Sequence, residues 1–172
     1  MQQRPEGNSS FFSRTWNEYK AGFGDPSGNY WIGLERLHQL TSSGLYKLRV
    51  DVQAQQDGQC YWEEISEFIV GSETSGYLLT SNGNYTGTAG EGWVYRSNGM
   101  KFSTKDVDND IWSGNCAADS QRGNGGGGWF SVCSGLYINA ITAPNSFSFR
   151  GFSWYTVPGY RLLQSRLILL LK

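Results

Sequence analysis

The chain contains 172 residues, which is enough for one well-packed domain and short for two. Its 14 basic and 15 acidic residues almost cancel, and this removes the electrostatic case for binding nucleic acid or inserting into an anionic membrane. A content of 7 Trp, 10 Tyr, 9 Phe and 23 Gly instead predicts a loop-rich globule with an aromatic core.

The N-terminal half of the sequence predicts two short helices followed by a β-hairpin. Residues 11–23 carry apolar side chains at helical spacing, a Gly-Asp-Pro-Ser-Gly segment then turns the chain, and residues 30–40 hold a second helical stretch. Across residues 44–52 apolar and polar side chains alternate, which is the period of a strand. Residues 60–70 are predicted to pair with this strand through a turn at residues 56–58.

The C-terminal half is less regular. Residues 71–99 are predicted to be mostly loop, and residues 101–128 show no sustained period. Strand character returns in three segments, at residues 129–133, 136–141 and 160–171. The apolar end, residues 167–171, is far shorter than the ~20 residues that a membrane-spanning helix needs, and it is predicted to be a buried strand. With no repeat and no linker, residues 1–172 are predicted to form one domain.

The cysteines indicate an oxidising compartment. Cys116 and Cys133 lie 17 positions apart around a glycine-rich segment, where a disulfide would remove roughly 3 kcal/mol of chain entropy from the unfolded state. We interpret the pair as a disulfide, and two buried thiols are the alternative. Cys60 is left over, so it is either buried and free or its partner is missing. Asn8 and Asn84 each begin an acceptor triplet for N-glycosylation, which suits a secreted protein.

An acidic loop is the sharpest local signal for a binding site. Asp106, Asp108 and Asp110 alternate with other residues in a loop without periodicity, an arrangement that suits a hard cation with oxygen ligands. The loop is not an EF-hand, because the sixth position from Asp106 is Ile111 instead of glycine and the twelfth is Ala117 instead of glutamate. The residues alone leave two interpretations open, a cation site and a solvated acidic turn.

The sequence offers no catalytic constellation, and we predict that the protein is not an enzyme. His38 is the single histidine and lies in a helical stretch, where a structural role is expected. Glu63 and Glu64 adjoin along a predicted strand, so their carboxylates point to opposite faces. The glycine-rich residues 123–128 lack the lysine, the serine and the following helix of a phosphate-binding loop.

The order of motifs along the chain resembles the fibrinogen-related domains, a family shared by fibrinogen chains, ficolins, tachylectins and angiopoietins. The motifs include GFG after an aromatic helix, YWIGLERLHQLT, YKLRVD, NGMKFST followed by DND and GNCA, and a closing GFSWYTVPGYRL. They occupy residues 16–24, 28–41, 46–51, 85–90, 98–117 and 151–162. The family's opening subdomain, with its own cysteine pair, has no counterpart here, so the chain is expected to be a domain truncated at its N-terminus.

The resemblance implies a mixed α+β domain with a central antiparallel sheet and a loop-rich, calcium-binding lobe. It implies a calcium ion held by the carboxylates of Asp108 and Asp110 and by the carbonyls of Trp112 and Gly114. It also implies a disulfide between the two later cysteines, and in many members a cis peptide bond before the second one, here between Val132 and Cys133.

Departures from the family pattern concern the sugar pocket. Relatives that bind acetyl groups have a histidine directly after the second cysteine, whereas this chain has Ser134, and the segment that follows it is shortened. The position of an expected tyrosine falls near Ser148. The acetyl pocket is therefore expected to be weakened or rebuilt. The predicted ligand contacts are Trp129, Phe130, Val132, Ser134, Phe147 and Ser148. For Trp129 and Phe130 a place in the core is an equal alternative.

From these features we expect a secreted, calcium-dependent module that binds acetylated or other microbial or host glycans, as in innate-immune recognition. The alternative is a protein-interaction module that binds a receptor, the matrix or a cell-surface glycoprotein, with a degenerate sugar pocket. Relatives owe their multivalency to coiled-coil or collagen-like regions. This sequence contains neither, so oligomerisation is expected to depend on regions outside it.

Overall fold

The computed structural model describes residues 2–4, 11, 13–118, 125–133, 136–141 and 151–172. These residues form three helices, α1 (Trp16–Ala21), α2 (Leu34–Thr41) and α3 (Trp93–Ser97), and a 3-10 turn at Glu73–Ser75. The strands are β1 (Gln2–Arg4), β2 (Phe23–Gly24), β3 (Tyr30–Trp31), β4 (Tyr46–Ala54), β5 (Cys60–Ile65), β6 (Ile69–Val70), β7 (Leu79–Thr80), β8 (Tyr85–Gly87), β9 (Phe102–Ser103), β10 (Gly128–Trp129), β11 (Leu136–Tyr137), β12 (Ser153–Trp154) and β13 (Leu162–Leu171).

A seven-stranded antiparallel sheet organises the molecule, with the strand order β2-β3-β1-β13-β4-β5-β8. Its centre is the long pairing of β4 with β13, which runs from Leu162 opposite Ala54 to Leu171 opposite Tyr46. The predicted hairpin of β4 and β5 is confirmed. Alternation in β4 places Leu48, Val50 and Val52 on the buried face, as the period of two requires. Pairs β6-β7, β9-β10 and β11-β12 form three small sheets.

An aromatic core fills the space between the sheet and the loops. Phe102 and Trp129 pack edge to face with their ring centroids 4.8 Å apart, and Tyr19 and Trp31 lie against the same ring of Phe102. The indole N–H of Trp129 donates to the carbonyl of Tyr77 at 2.8 Å. Each ring buries a large apolar area, and the indole N–H of Trp129 keeps a partner, so this ring is buried without an unsatisfied donor.

Helix α1 begins with a capping box. The Thr15 hydroxyl accepts from the backbone N–H of Glu18, and the Glu18 carboxylate accepts from the Thr15 N–H at 2.8 Å. That N–H, with the nearby Arg14 guanidinium, lowers the pKa of Glu18 from 4.5 to about 2. The helix ends at Gly22, whose φ of 92° and close approach to the Ile32 carbonyl leave no room for a Cβ.

The α+β class is confirmed, and the differences from expectation lie in the loops. Helix α3 forms inside a segment predicted to be loop, because the buried carboxylate of Glu63 accepts the Trp93 N–H at 3.0 Å where the helix begins. His38 has the expected structural role, with its Nδ1 2.9 Å from the Val70 carbonyl. None of the helices in the described ranges is long and apolar enough to span a bilayer, and the apolar C-terminal residues form β13.

Candidate functional site

The acidic loop follows β9 and is organised by the carboxylate of Asp110. One oxygen of Asp110 accepts the Trp112 N–H at 3.0 Å, and the other accepts the Cys116 N–H at 2.9 Å. The carboxylate of Asp108 accepts the Asp110 N–H at 3.3 Å. The two side chains that the sequence nominated as cation ligands are therefore brought together in one turn.

The electrostatics of this pair suit a cation. Burial raises the pKa of Asp110, two backbone N–H donors lower it, and the neighbouring charge of Asp108 raises it again. Two carboxylates this close are unfavourable unless positive charge lies between them. Among the described residues, no three side chains of His, Cys, Asp or Glu gather as a metal site, so further ligands would be other oxygens, such as backbone carbonyls and water. Such an all-oxygen set fits calcium.

Asparagines fix the loop to β9, and sequence reasoning did not single them out. The Asn109 side chain donates to the Phe102 carbonyl at 2.8 Å, and its backbone N–H donates to the Ser103 hydroxyl. The Asn115 side chain donates to the Thr104 carbonyl at 2.9 Å. Their position within the DND and GNC motifs was the available signal, because asparagine side chains commonly bond backbone groups in turns.

Asp106 has a different role from the other two aspartates. Its carboxylate accepts from the Thr104 hydroxyl at 2.8 Å and from the backbone N–H of Trp16 at 2.9 Å. Trp16 is the first residue of α1, so Asp106 satisfies a donor that a helix start leaves open. This aspartate links the loop to α1 and is not grouped with Asp108 and Asp110.

The expected disulfide closes the loop. Cys116 and Cys133 are joined with an S–S distance of 2.10 Å and a Cα–Cα distance of 5.1 Å. Phe130 and Tyr137 pack with Cys116 in a small buried cluster, and Trp112 lies against it. The peptide bond before Cys133 is trans, since no described residue has a cis bond, so the cis bond implied by the resemblance is wrong for this structure.

The predicted ligand contacts differ in exposure. Trp129 is only 4% exposed and Phe130 8% exposed, and this burial argues against both as open walls of a pocket. Val132 is 43% exposed. Ser134, Phe147 and Ser148 lie outside the described residues, so their roles stay predictions.

Ile111 is an exposed residue of the site that sequence reasoning missed. Its side chain is 70% exposed, and its backbone N–H donates to the Ser131 carbonyl at 3.2 Å. This bond joins the acidic loop to the segment that carries Val132. Two exposed apolar side chains thus lie on segments that are bonded to each other, beside the disulfide. The signal in the sequence was an isoleucine within an otherwise polar loop.

The concave spaces near the site are small. A cavity of about 20 Å³ is lined by Trp93, Trp129, Phe130 and neighbouring residues, which is room for about one water molecule and not for a sugar. A separate groove of about 340 Å³ is lined by polar residues of β4 and β13 and by Cys60. Cys60 is free and exposed, so the alternative of a buried thiol is wrong.

Comparison with known proteins gives consistent results. A family model described as the C-terminal globular domain of fibrinogen beta and gamma chains matches residues 1–168. Angiopoietin-4 from Bos taurus is 37% identical over 171 residues, which cover 96% of this chain and 33% of that protein. Fibrinogen-like protein A from Apostichopus parvimensis is 37% identical over 164 residues, which cover 92% of this chain and 54% of that protein. Microfibril-associated glycoprotein 4 from Homo sapiens is 39% identical over 166 residues, covering 93% and 63%. The chain therefore spans only part of each of these relatives.

Two solved structures share the fold. The fibrinogen-like globe domain of human ANGPTL6 superposes with a TM-score of 0.86 at 33% identity, covering 99% of this chain and 76% of that one. A lamprey fibrin D-dimer complexed with the peptide ligand Gly-His-Arg-Pro-amide superposes with a TM-score of 0.83 at 27% identity, covering 99% and 60%. The domain boundaries predicted from the sequence stay a prediction.

Proposed function

This chain belongs to the family of fibrinogen C-terminal globular domains, and we propose that it is an extracellular, calcium-dependent recognition module. Its binding face is the surface beside the Cys116–Cys133 disulfide, where Ile111 and Val132 are exposed. One observation carries the proposal: the loop with the paired carboxylates is bonded both to the disulfide, through Asp110 and the Cys116 N–H, and to the Val132 segment, through Ile111.

Calcium would be held by the carboxylates of Asp108 and Asp110 and by the carbonyls of Trp112 and Gly114. A bound calcium ion supplies positive charge that neutralises the two carboxylates. Among the described residues the Gly114 carbonyl accepts no hydrogen bond, and this supports its assignment as a ligand. The Asp110 carboxylate already orients the backbone at Trp112 and Cys116, so the chain itself shapes the loop around the ion.

A protein or cell-surface glycoprotein is the ligand class that the exposed residues favour. Aliphatic side chains at the centre of a face, with polar groups around them, are common in protein interfaces. The relatives include angiopoietins and a microfibril-associated glycoprotein, and one structural neighbour was solved with a bound peptide. The burial of Trp129 and Phe130 argues against these two rings as a platform for a sugar.

Glycan binding, including acetylated or microbial sugars, is the second candidate. Its sequence signal is Ser134, which directly follows Cys133 along the chain. Ser134, Phe147 and Ser148 lie outside the described residues, so their part in a sugar pocket stays a prediction from the sequence. This function would place the protein in innate-immune recognition.

We also propose a binding role and not catalysis, and the partners of two titratable groups support this proposal. Glu63 is buried and bonded to the start of α3, and His38 is bonded to the Val70 carbonyl, so both have structural partners. The disulfide supports an extracellular location, because such bonds persist in oxidising compartments.

The test is a binding screen with two arms, run in calcium and again in EDTA. One arm is a glycan array, and the other is a panel of purified receptor and matrix ectodomains, each used before and after enzymatic deglycosylation. We expect ectodomain binding that survives deglycosylation and is lost in EDTA. Binding confined to the array, or abolished by deglycosylation, would instead establish the glycan candidate. Binding that is equal in calcium and EDTA contradicts the proposal.

Single substitutions test where the proposed binding face lies. Ile111→Asp and Val132→Asp are expected to weaken binding by about tenfold or more each, because a charge is placed in an apolar contact. Leu45→Asp is the matched control, since Leu45 is also exposed, at 57%, but lies just before β4 on the sheet. If Leu45→Asp weakens binding as much as Ile111→Asp, the face is wrongly placed.

A further inference from the structure

We propose that Asn84 carries an N-linked glycan that covers the open edge of the seven-stranded sheet. The proposal rests on the extracellular location inferred above. Asn84, Tyr85 and Thr86 form an acceptor triplet, and Asn84 stands immediately before β8, the strand at the end of the sheet order. The acceptor triplet alone occurs often by chance, so its place in the fold decides whether it can carry a glycan.

The structure leaves the triplet accessible. Residues 82–88 are all exposed, and β8 is exposed along its whole length. Strand β8 pairs with β5 on one side, with Thr86 opposite Glu64 and Tyr85 opposite Ile65. On its other side β8 has no strand neighbour within the described chain. A bulky, hydrated modification can therefore be accommodated without disturbing the core.

The asparagine and the threonine point to the solvent face of the sheet. Residues paired across an antiparallel sheet share a face, so Thr86 lies on the side of Glu64, which bonds Lys47 at 3.1 Å on the surface. Tyr85 lies on the side of the buried Ile65. Because side chains alternate along an extended chain, Asn84 shares the outward side with Thr86.

The side-chain amide of Asn84 is not needed by the fold. Its backbone is fixed, since its carbonyl accepts the Ser66 N–H and its own N–H donates to the Asn82 side chain, both at 3.1 Å. The Asn82 side chain also accepts from the Ser66 hydroxyl. Within the described ranges, the side-chain nitrogen of Asn84 has no hydrogen-bond partner. The Asn82 side chain therefore stabilises the turn, and the Asn84 side chain is available for modification.

The reaction needs a glycosyl donor of the secretory pathway, a lipid-pyrophosphate-linked oligosaccharide. The Asn84 side-chain nitrogen forms a bond to C1 of the first sugar. The bond from that carbon to the pyrophosphate oxygen breaks, the lipid pyrophosphate leaves with the bonding electrons, and the amide nitrogen releases one proton. No oxidant or reductant takes part.

The glycan has a physical use at this position. An unpaired strand edge exposes a row of N–H and C=O groups that can pair with another chain, and proteins commonly block such edges. Strand β8 is short and carries no lysine or proline to block it. A hydrated oligosaccharide beside it would keep two copies from pairing edge to edge.

The test is to secrete the full chain from insect cells and map the sugar. Trypsin releases residues 50–96 as one peptide in which Asn84 begins the single acceptor triplet, so it is separated from the Asn8 triplet. We expect this peptide to carry an N-linked oligosaccharide at Asn84 in most of the secreted protein, detected by its added mass. Thr86→Ala is expected to lose the sugar, and Thr86→Ser, which keeps the triplet, is expected to retain it. A secreted wild-type chain with a bare Asn84 overturns the proposal.

Sedimentation of the same two variants tests the role at the edge. We expect Thr86→Ala to self-associate at concentrations where Thr86→Ser remains monomeric, and equal sedimentation would refute the shielding role. The result is separable from the recognition function. A glycosylated chain that binds no ligand contradicts that function alone, whereas a bare chain that binds in calcium contradicts only this inference.

Discussion

The sheet and the acidic loop are stabilised by different interactions. Strands β4 and β13 pair over most of their length and bury an alternating apolar face. The loop between β9 and the disulfide contains no strand longer than a two-residue segment in the described ranges, and carboxylates, asparagine amides and one disulfide fix it. Apolar burial in the sheet does not depend on the redox state of the cysteines, whereas the loop is closed by a disulfide that does. The proposed recognition function lies beside this loop, which also contains the proposed calcium ligands.

Substitution of Trp129 tests whether this residue belongs to the core or to the ligand-binding face. Because its ring packs on Phe102 and Trp31, we expect Trp129→Ala to lower the free energy of unfolding by about 3–5 kcal/mol. Urea denaturation followed by circular dichroism measures this. Trp62→Ala is the control, since Trp62 is half-buried under the Arg49 guanidinium and about 1 kcal/mol or less is expected. If Trp129→Ala loses only ligand binding and keeps its stability, Trp129 is a contact residue after all.

Loss of the disulfide is expected to destabilise the loop more than the sheet. Replacing Cys116 and Cys133 together by alanine is expected to cost roughly 3 kcal/mol, from the entropy of the 17-residue separation. Hydrogen exchange resolves where the loss falls. We expect amides of residues 108–118 to lose protection while β4 keeps most of its own. Uniform loss across both regions would show that they unfold as one unit.

The proposed calcium site predicts different roles for Asp108 and Asp106 in the acidic loop. At a hundredfold excess over its dissociation constant, calcium is expected to stabilise the wild-type chain by about 2.7 kcal/mol, seen as a higher melting temperature. Asp108→Asn should abolish this shift, because it removes a proposed ligand whose carboxylate accepts the Asp110 N–H at a long 3.3 Å. Asp106→Asn should keep the shift, because Asp106 bonds Thr104 and Trp16 instead. Equal loss in both variants would mean that the site is not the Asp108–Asp110 pair.

The same contrast explains what the sequence could predict. The alternation of Leu48, Val50 and Val52 is a local pattern, so the central strand and its hairpin were predictable. Helix α3 was not, because its first N–H is satisfied by Glu63, a residue 30 positions away. A five-residue helix is rarely stable without such a tertiary partner, so its sequence alone does not predict it.

The candidate site was also predictable only in part. Acidic spacing nominated Asp108 and Asp110; the structure places them in one turn, where the Asp108 carboxylate accepts the Asp110 N–H. Their role as cation ligands stays a prediction. Composition could not distinguish an aromatic wall from a core ring, so Trp129 was assigned to the ligand although it lies at the centre of the aromatic cluster. The exposure of Ile111 could not be read from its apolar type, since such residues are usually buried.

The smallest expected effect lies at α1, where the loop meets the folded core through Asp106 and Trp16. The pKa of Glu18 falls from 4.5 to about 2 on folding, so between these values the unfolded chain binds more protons than the folded one. The stabilisation from the Glu18 carboxylate is complete above its unfolded-state pKa of 4.5 and is lost as the pH falls toward 2. Because the Glu18 side chain is 40% exposed, solvent screening limits the effect to about 1 kcal/mol or less. Comparing urea midpoints at about pH 5 and about pH 3, we expect Glu18→Gln to be less acid-sensitive than wild type, and the exposed Glu91→Gln to behave as wild type. An unchanged slope for Glu18→Gln would mean that acid acts on the loop carboxylates and not on the helix cap.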